Sequence, residues 1–550
     1  MFQKTALAAA AASALLALTL QGCGGSSDSV STPTTTAVAD AAAALATTSP
    51  IKHIVVIFGE NVSFDHYFAT YPVATNPSGE TAFTAKANTP TVNGLSGALL
   101  TNNPNFTNTA NGTGAANPFR LDPSQAATAD MGHNYKPEQQ AFDDGLMDLF
   151  PLYTGVAGSG GSGAFNTKGL VMGYYDGNTV TALWNYAQNY AMSDNSFSTT
   201  FGPSTPGAIN LISGQTGGVV YDGTTLAASD VNHATPDGQG GYTMIGDVDP
   251  TGDVCSSTTN YAHMKGKNVG DYLNAAGISW GFFEGGFDLT LTNANGTTGC
   301  ARSSVSSIVG GTGYVDYIPH HQPFQYYAST ANPTHKRPSS VAAIGTANDG
   351  GANHQYDSHD FFDALAAGNM PAVSYLKAPA IQDGHAGYSD PTDEQQFLTK
   401  SINTIMQSPF WKDTLIVVAY DDSDGWYDHV MGPIVNSGFN SPADVLKVCK
   451  DQTKTVMAGP DGYPVAGRCG YGTRQPLLLI SPYAKANFVD HSVTDQTSIL
   501  KFIEDNWLSG QRIAAGTFDN IAGGLNSMLN FATGGSTPAV ILDASTGAVK

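Results

Sequence analysis

Asp421 and Asp422 end the apolar run TLIVVAY that begins at Thr414, and Glu60 with Asn61 follows a second such run, IVVIF from Ile54. Each run is continuous rather than alternating, which marks a strand buried on both faces. In open α/β sheets, ligands bind beyond the carboxyl ends of such strands. Neighbouring carboxylates repel, so a cation is the simplest reason to keep two of them there. For one run taken alone, a solvated acidic turn is the competing reading. The repetition of the pattern favours a metal.

Ser204 is the candidate nucleophile. It stands in FGPSTPGAINLISG, between Pro203 and the Thr205-Pro206 pair, directly before a helical pattern. A serine at a helix start can present its oxygen to an anion, where free N–H groups and the helix dipole add favourable charge. The same position also suits a plain N-cap. Histidines supply the remaining chemistry: His133, the adjacent His320 and His321, and His385, with His359 and His429 in two further fragments. Imidazoles in Gly-, Pro- and Tyr-rich loops suit an anionic substrate. Each can donate hydrogen bonds, and one can protonate a leaving oxygen near neutral pH.

The elements that must position these groups follow from periodicity. Besides the two acid-ended runs, PLLLISP from Pro476 and VSYLK from Val373 read as strands. Helical patterns occupy TVTALWNYAQNYAM from Thr179 and DFFDALAAG from Asp360, the latter stopped by Gly368. Two more lie in TDEQQFLTKSINTIMQSPFW, with Thr392 as an N-cap, and in DQTSILKFIEDNW from Asp495. Strands alternating with helices predict an α/β sandwich. Thr-, Asn- and Gly-rich stretches at about 75–117 and 217–313 read as insertions beside the site, and 527–550 as a small-residue tail.

With 41% hydrophobic residues, the 550-residue chain can bury a sizeable core. Its net charge of −22 opposes non-specific binding to nucleic acid or anionic lipid. Lys4, an Ala/Leu-rich stretch and LQGC at Leu20 to Cys23 predict a signal peptide over 1–22. A flexible tether over 23–49 with a lipidated Cys23 should follow, and plain secretion is the alternative that Gln21 leaves open. Membrane association would then run through that lipid. Four cysteines remain, Cys255, Cys300, Cys449 and Cys469, an even number that suits an oxidising compartment. Three pairings are possible; the expectation is the sequence-local one, 255 with 300 and 449 with 469.

KHIVVIFGENVSFDHYF, FGPSTP, YIPHHQPF, DGHAGYSDP and VVAYDDSDGWYDH, in this order, resemble the bacterial phosphoesterase family of acid phosphatases and phospholipases C, within the alkaline-phosphatase-like superfamily. The resemblance runs from about Pro50 to Gly510. It implies an α/β/α sandwich with a mixed, largely parallel central sheet and a catalytic domain over 50–526. It also implies one divalent metal ion, with Ca, Mg, Mn, Fe and Zn all open, and a covalent phospho-enzyme intermediate. Carried over by position, the metal ligands fall on Glu60, Asn61, Ser204, Asp421 and Asp422. The nucleophile falls on Ser204, with Thr205 one residue away, and the substrate histidines on His133, His320, His321 and His385. His359 and His429 have no place in that pattern and should support their surroundings.

The opening motif GENVSFDHYFATYP, where the phospholipases resemble QENRSFDHYFG, and the short stretch after the core favour the acid phosphatase branch. A phosphomonoesterase is therefore the expectation, with a phospholipase C-type phosphodiesterase as the alternative, in either case outside the cytoplasm. No Cys-x-Pro-x-Arg motif points to a sulfatase. A surface lipoprotein that only binds would show gaps in the ligand set, and the set is complete.

Overall fold

In the computed structural model, which describes residues 40–223, 232–306, 308, 310–311 and 313–550, the two acid-ended runs are adjacent parallel strands. They belong to a nine-stranded sheet: β1 (His53–Gly59), β2 (Ala191–Phe197), β3 (Trp280–Glu284), β4 (Gln355–Asp357), β5 (Val373–Lys377), β6 (Thr414–Tyr420), β7 (Arg474–Ile480), β8 (Phe488–Asp490) and β9 (Thr494–Asp495). The order is β4-β3-β5-β1-β6-β7-β2-β8, with β9 also paired to β2. Only β7 runs against its neighbours in this sheet. The expected α/β class with a mixed, largely parallel sheet is the observed one.

β5, β6 and β7 are buried at every residue and β1 at every residue but Gly59. Both faces are therefore covered, which is why these segments carry no polar alternation. The helices form two sets. α1 (Thr181–Asn189) packs with α5 (Pro391–Met406), while α2 (Ser204–Ser213) packs with α6 (Thr497–Trp507) and α3 (Val269–Ala276); α4 (Ser358–Ala366) lies along β3 and β4.

Several expectations need correction. The helix predicted from Thr179 stops at Asn189, and AMSDNSF becomes β2. Its polar residues find partners there: the Asp194 carboxylate accepts from the Asn93 N–H at 2.7 Å. The stretch 217–313 is not wholly an insertion, since it contributes β3 and α3 to the core. The rest of it includes a separate five-stranded sheet of Gly217–Tyr221, Ala234–Pro236, Tyr242–Met244, Asp249–Pro250 and Tyr261–Met264. Asp390, not Thr392, caps α5, accepting from the N–H groups of Thr392 and Asp393.

The last part of the predicted tether is not free: Ala42 is buried, and the Ser49 N–H and hydroxyl both donate to Asn506 Oδ1. Leu542 of the predicted tail is likewise buried and exchanges two hydrogen bonds with the Asn403 side chain. Disulfides join Cys255 to Cys300 and Cys449 to Cys469, the sequence-local pairing. The signal peptide and Cys23 lie outside the described residues. Among the described residues no helix is long and apolar enough to cross a membrane.

Candidate active site

The register of β1 against β6 builds the acidic centre. Seven consecutive pairs run from His53 opposite Thr414 to Gly59 opposite Tyr420, so the next residues, Glu60-Asn61 and Asp421-Asp422, leave the sheet side by side. Gly59 is needed for this pairing, because a Cβ there would stand 2.7 Å from the Tyr420 ring. Backbone bonds then stitch the two turns together. Asp421 N–H donates to the Gly59 carbonyl at 3.3 Å and Val62 N–H to the Asp422 carbonyl at 3.0 Å. Asn61 takes a left-handed φ of 64°, which asparagine tolerates, and its N–H donates to Asp421 Oδ1 at 3.0 Å.

Ser204 enters from α2. It is the first residue of the helix rather than its cap, so its hydroxyl is not spent on capping. Oγ lies 2.9 Å from Glu60 Oε2 and 3.1 Å from Asp422 Oδ2. Thr205 is engaged elsewhere: its N–H and hydroxyl both donate to Asp247 Oδ1, at 3.0 and 2.9 Å. The hydroxyl that faces the carboxylates is therefore that of Ser204.

Two buried oxygens, Asn61 Oδ1 and Asp421 Oδ2, have no hydrogen-bond partner, while Asn61 Nδ2 donates to Asp424 Oδ1 at 3.1 Å. Orphaned acceptors beside three buried carboxylates and a hydroxyl form an all-oxygen set that fits a hard divalent cation. The electrostatics agree. Burial, and then the Asp421 charge, pushes both Glu60 and Asp422 well above the usual carboxylate range. Burial acts on Asp421 in the same sense, but Lys377 and the N–H donors hold it low.

Lys377 joins the same centre and is not among the sequence-predicted site residues. It ends β5, is 1% exposed, and pairs with Glu60 Oε1. The rule that singled out Asp421 applies to it as well, since it is a charged residue at the carboxyl end of a buried strand. Asp424 was missed too, and no spacing marks it.

The four predicted histidines surround this centre. Nδ1 of His321 is 3.4 Å from Glu60 Oε1, and burial followed by Lys377 pushes its pKa well down. His320, ring to ring with it at 4.7 Å, meets Asp249 Oδ1 at 3.2 Å. Burial opposes the charged form of His320, but Asp247 and Asp249 outweigh it. Nδ1 of His133 lies 2.9 Å from the Met131 carbonyl and 3.2 Å from Asp424 Oδ1. Burial disfavours its charge as well, yet Asp422 and Asp424 hold its pKa well above the ordinary value. Nδ1 of His385 is 2.6 Å from the Ala386 carbonyl, and burial draws its pKa down to about 4. Its ring lies 6.0 Å from that of His133.

His429 and His359 stand in ion-pair networks instead. His429 Nδ1 meets Asp65 at 2.6 Å beside Arg474, and His359 meets Asp288 at 3.3 Å.

The Phosphoesterase family profile matches residues 51–508 of the chain. The non-hemolytic phospholipase C of Pseudomonas aeruginosa is 23% identical over 506 residues, covering 89% of this chain and 58% of that protein. Phospholipase C A of Mycobacterium tuberculosis is 23% identical over 498 residues, covering 88% and 78%. The non-specific phospholipase C6 of Arabidopsis thaliana is 23% identical over 506 residues, covering 87% and 73%. Among solved structures, murine ectonucleotide pyrophosphatase/phosphodiesterase 5 shares 11% identity at a TM-score of 0.30, covering 64% of this chain and 95% of that one.

Proposed function

The chain belongs to the Phosphoesterase family, and from that premise we propose that it hydrolyses phosphodiesters of the phospholipase C type, with Ser204 as nucleophile. The observation that carries the reading is the Ser204 hydroxyl, set at a helix start within 2.9 Å of Glu60 and 3.1 Å of Asp422. Glu60, Asn61, Asp421, Asp422 and the Ser204 oxygen would hold one divalent cation. Bound there, it would lower the hydroxyl pKa and offset charge on the phosphoryl oxygens.

The residues of the chain do the rest. Ser204 Oγ, its proton released to solvent before the attack, adds to phosphorus in line, forming the Oγ–P bond as the bond to the leaving oxygen breaks. His133 keeps its proton beside Asp422 and Asp424, so it is the group to protonate that leaving oxygen. His320, held charged by Asp247 and Asp249, would donate to the remaining phosphoryl oxygens, and the neutral rings of His321 and His385 would stand around the same group. Water then attacks the phosphoserine, Oγ is released, and a proton from the water returns to His133.

The phosphomonoesterase expectation takes second place. It rests on the opening GENVSFDHYF motif, whereas the relatives named above are phospholipases C over most of this chain. Because the chain spans only 58% of the Pseudomonas protein, its substrates are tested directly. A choline phosphodiester, p-nitrophenylphosphorylcholine, should be turned over with a higher kcat/KM than p-nitrophenyl phosphate. The reverse preference restores the phosphomonoesterase reading. Acid quench during turnover should trap phosphate on Ser204, and its absence would refute the covalent route. The two disulfides support a place outside the cytoplasm.

A further inference from the structure

A run of stacked rings leads from the site to solvent. Tyr388 stacks on His385, with centroids 4.3 Å apart and planes 23° apart, and Tyr314 stacks on Tyr388 at 4.1 Å and 7°. Tyr314 belongs to a short ribbon in which Ser303–Ser304 pairs with Tyr314–Val315. Successive side chains of a strand point to opposite faces, so Tyr314 and Val315 put apolar groups on both faces of the ribbon.

These groups are open to solvent: Tyr314 is 41% exposed, Val315 37% and neighbouring Val305 48%. The base of the ribbon is anchored. Asn293 Nδ2 donates to the Ser303 carbonyl and to Asp316, both at 2.8 Å, and the Cys255–Cys300 disulfide closes three residues before Ser303.

An anchored ribbon with exposed apolar side chains on both faces, joined by aromatic stacking to a site histidine, calls for an apolar ligand. The net charge of −22 disfavours an anionic surface. A zwitterionic glycerolipid meets no such repulsion, and apolar contact must then supply the attraction. We propose that the Tyr314–Val315 ribbon is the apolar lip on which a zwitterionic glycerolipid lays its acyl-bearing half while its phosphate reaches His385. The proposal rests on the phosphodiesterase reading and names the part of the substrate outside the phosphate pocket.

The test compares full-length protein with the double variant Tyr314→Ser, Val315→Ser on two substrates: long-chain phosphatidylcholine in vesicles and dibutyroyl phosphatidylcholine as monomers. The ratio of kcat/KM on vesicles to that on monomers should fall about tenfold in the variant. Co-sedimentation with the vesicles should weaken in parallel. Tyr314→Phe, which keeps the stacked ring, should retain the wild-type ratio and shows whether the position tolerates change. A double variant with an unchanged ratio, on a wild type that cleaves both lipids, overturns the lip alone. A wild type that cleaves p-nitrophenyl phosphate and neither lipid overturns the phosphodiesterase reading, and the lip falls with it.

Discussion

Gly207 tests whether the position of α2 controls the nucleophile. It lies one turn into the helix, three residues after Ser204, where the helix meets the end of β6. A Cβ built on it would stand 2.2 Å from the Asp421 carbonyl oxygen and 2.8 Å from the carbonyl carbon. Carbon–oxygen contacts between backbones settle at about 3.3 Å, so Gly207→Ala must part helix and strand end by about 1 Å. In an unhindered helix the same exchange would stabilise by about 1 kcal/mol. Here overpacking should reverse the sign, costing about 1–3 kcal/mol.

Catalysis should suffer more than stability. Ser204 Oγ stands 2.9 and 3.1 Å from its two carboxylates, and a shift of about 1 Å takes either contact out of hydrogen-bonding range. A misplacement of that size costs about 100-fold in rate. We expect kcat on whichever phosphate ester the wild type prefers to fall by about that factor, with a cooperative melt retained at lower temperature. Unchanged stability would refute the packing argument. Lower stability with wild-type kcat would refute the link from helix position to nucleophile.

Three further perturbations separate the roles assigned above. Asp422→Asn should lose bound cation and most activity while staying folded; full activity with unchanged metal content would remove Asp422 from the ligand set. Lys377→Met takes a positive charge from beside Glu60, and unit charges about 4 Å apart interact by about 4 kcal/mol at an effective dielectric of about 20. Cation affinity, read by chelator competition, should therefore rise at least tenfold while turnover falls, whereas weaker binding would mean that Lys377 only packs. Glu394, buried and accepting from the hydroxyls of Tyr67 at 2.9 Å and Tyr420 at 2.6 Å, has its pKa pushed by burial from 4.5 to about 7. Its proton is held more tightly in the folded state, so its contribution is full below pH 4.5 and lost as pH rises through 7, about 3 kcal/mol in all. Glu394→Gln should flatten urea-melt stability over that window; an unchanged slope would refute the assignment.

The parts of this fold that were legible in the sequence are those whose burial is two-sided. β1, β5, β6 and β7 show as unbroken apolar runs because no face of theirs meets water. β2 and β4 do not show, since AMSDNSF and QYD carry polar residues that only their neighbours can satisfy. Asp194 of β2 accepts from Asn93, and Asp357 of β4 pairs with Arg302 at 2.9 Å. β3 was hidden for another reason: WGFFE is short and bounded by glycines, Gly277 before it and Gly285-Gly286 after it.

The same limit applies inside the site, and Asp421, Asp422 and Asp424 show how. The three acids stand within four residues, and nothing in their spacing tells them apart. Backbone conformation does. Asp421 and Asp422 continue from β6 and turn carboxylate oxygens toward Asn61 and Ser204. Asp424 has a left-handed φ of 56°, and its Oδ1 instead meets the Asn61 amide at 3.1 Å and His133 at 3.2 Å. That carboxylate accepts from the Asn61 amide nitrogen, which leaves the amide oxygen unpartnered for the proposed cation, and with Asp422 it raises the pKa of His133 against the effect of burial. One acid thus touches both the proposed cation ligand Asn61 and the proposed proton donor His133, and the turn that aims it is a property of the folded backbone.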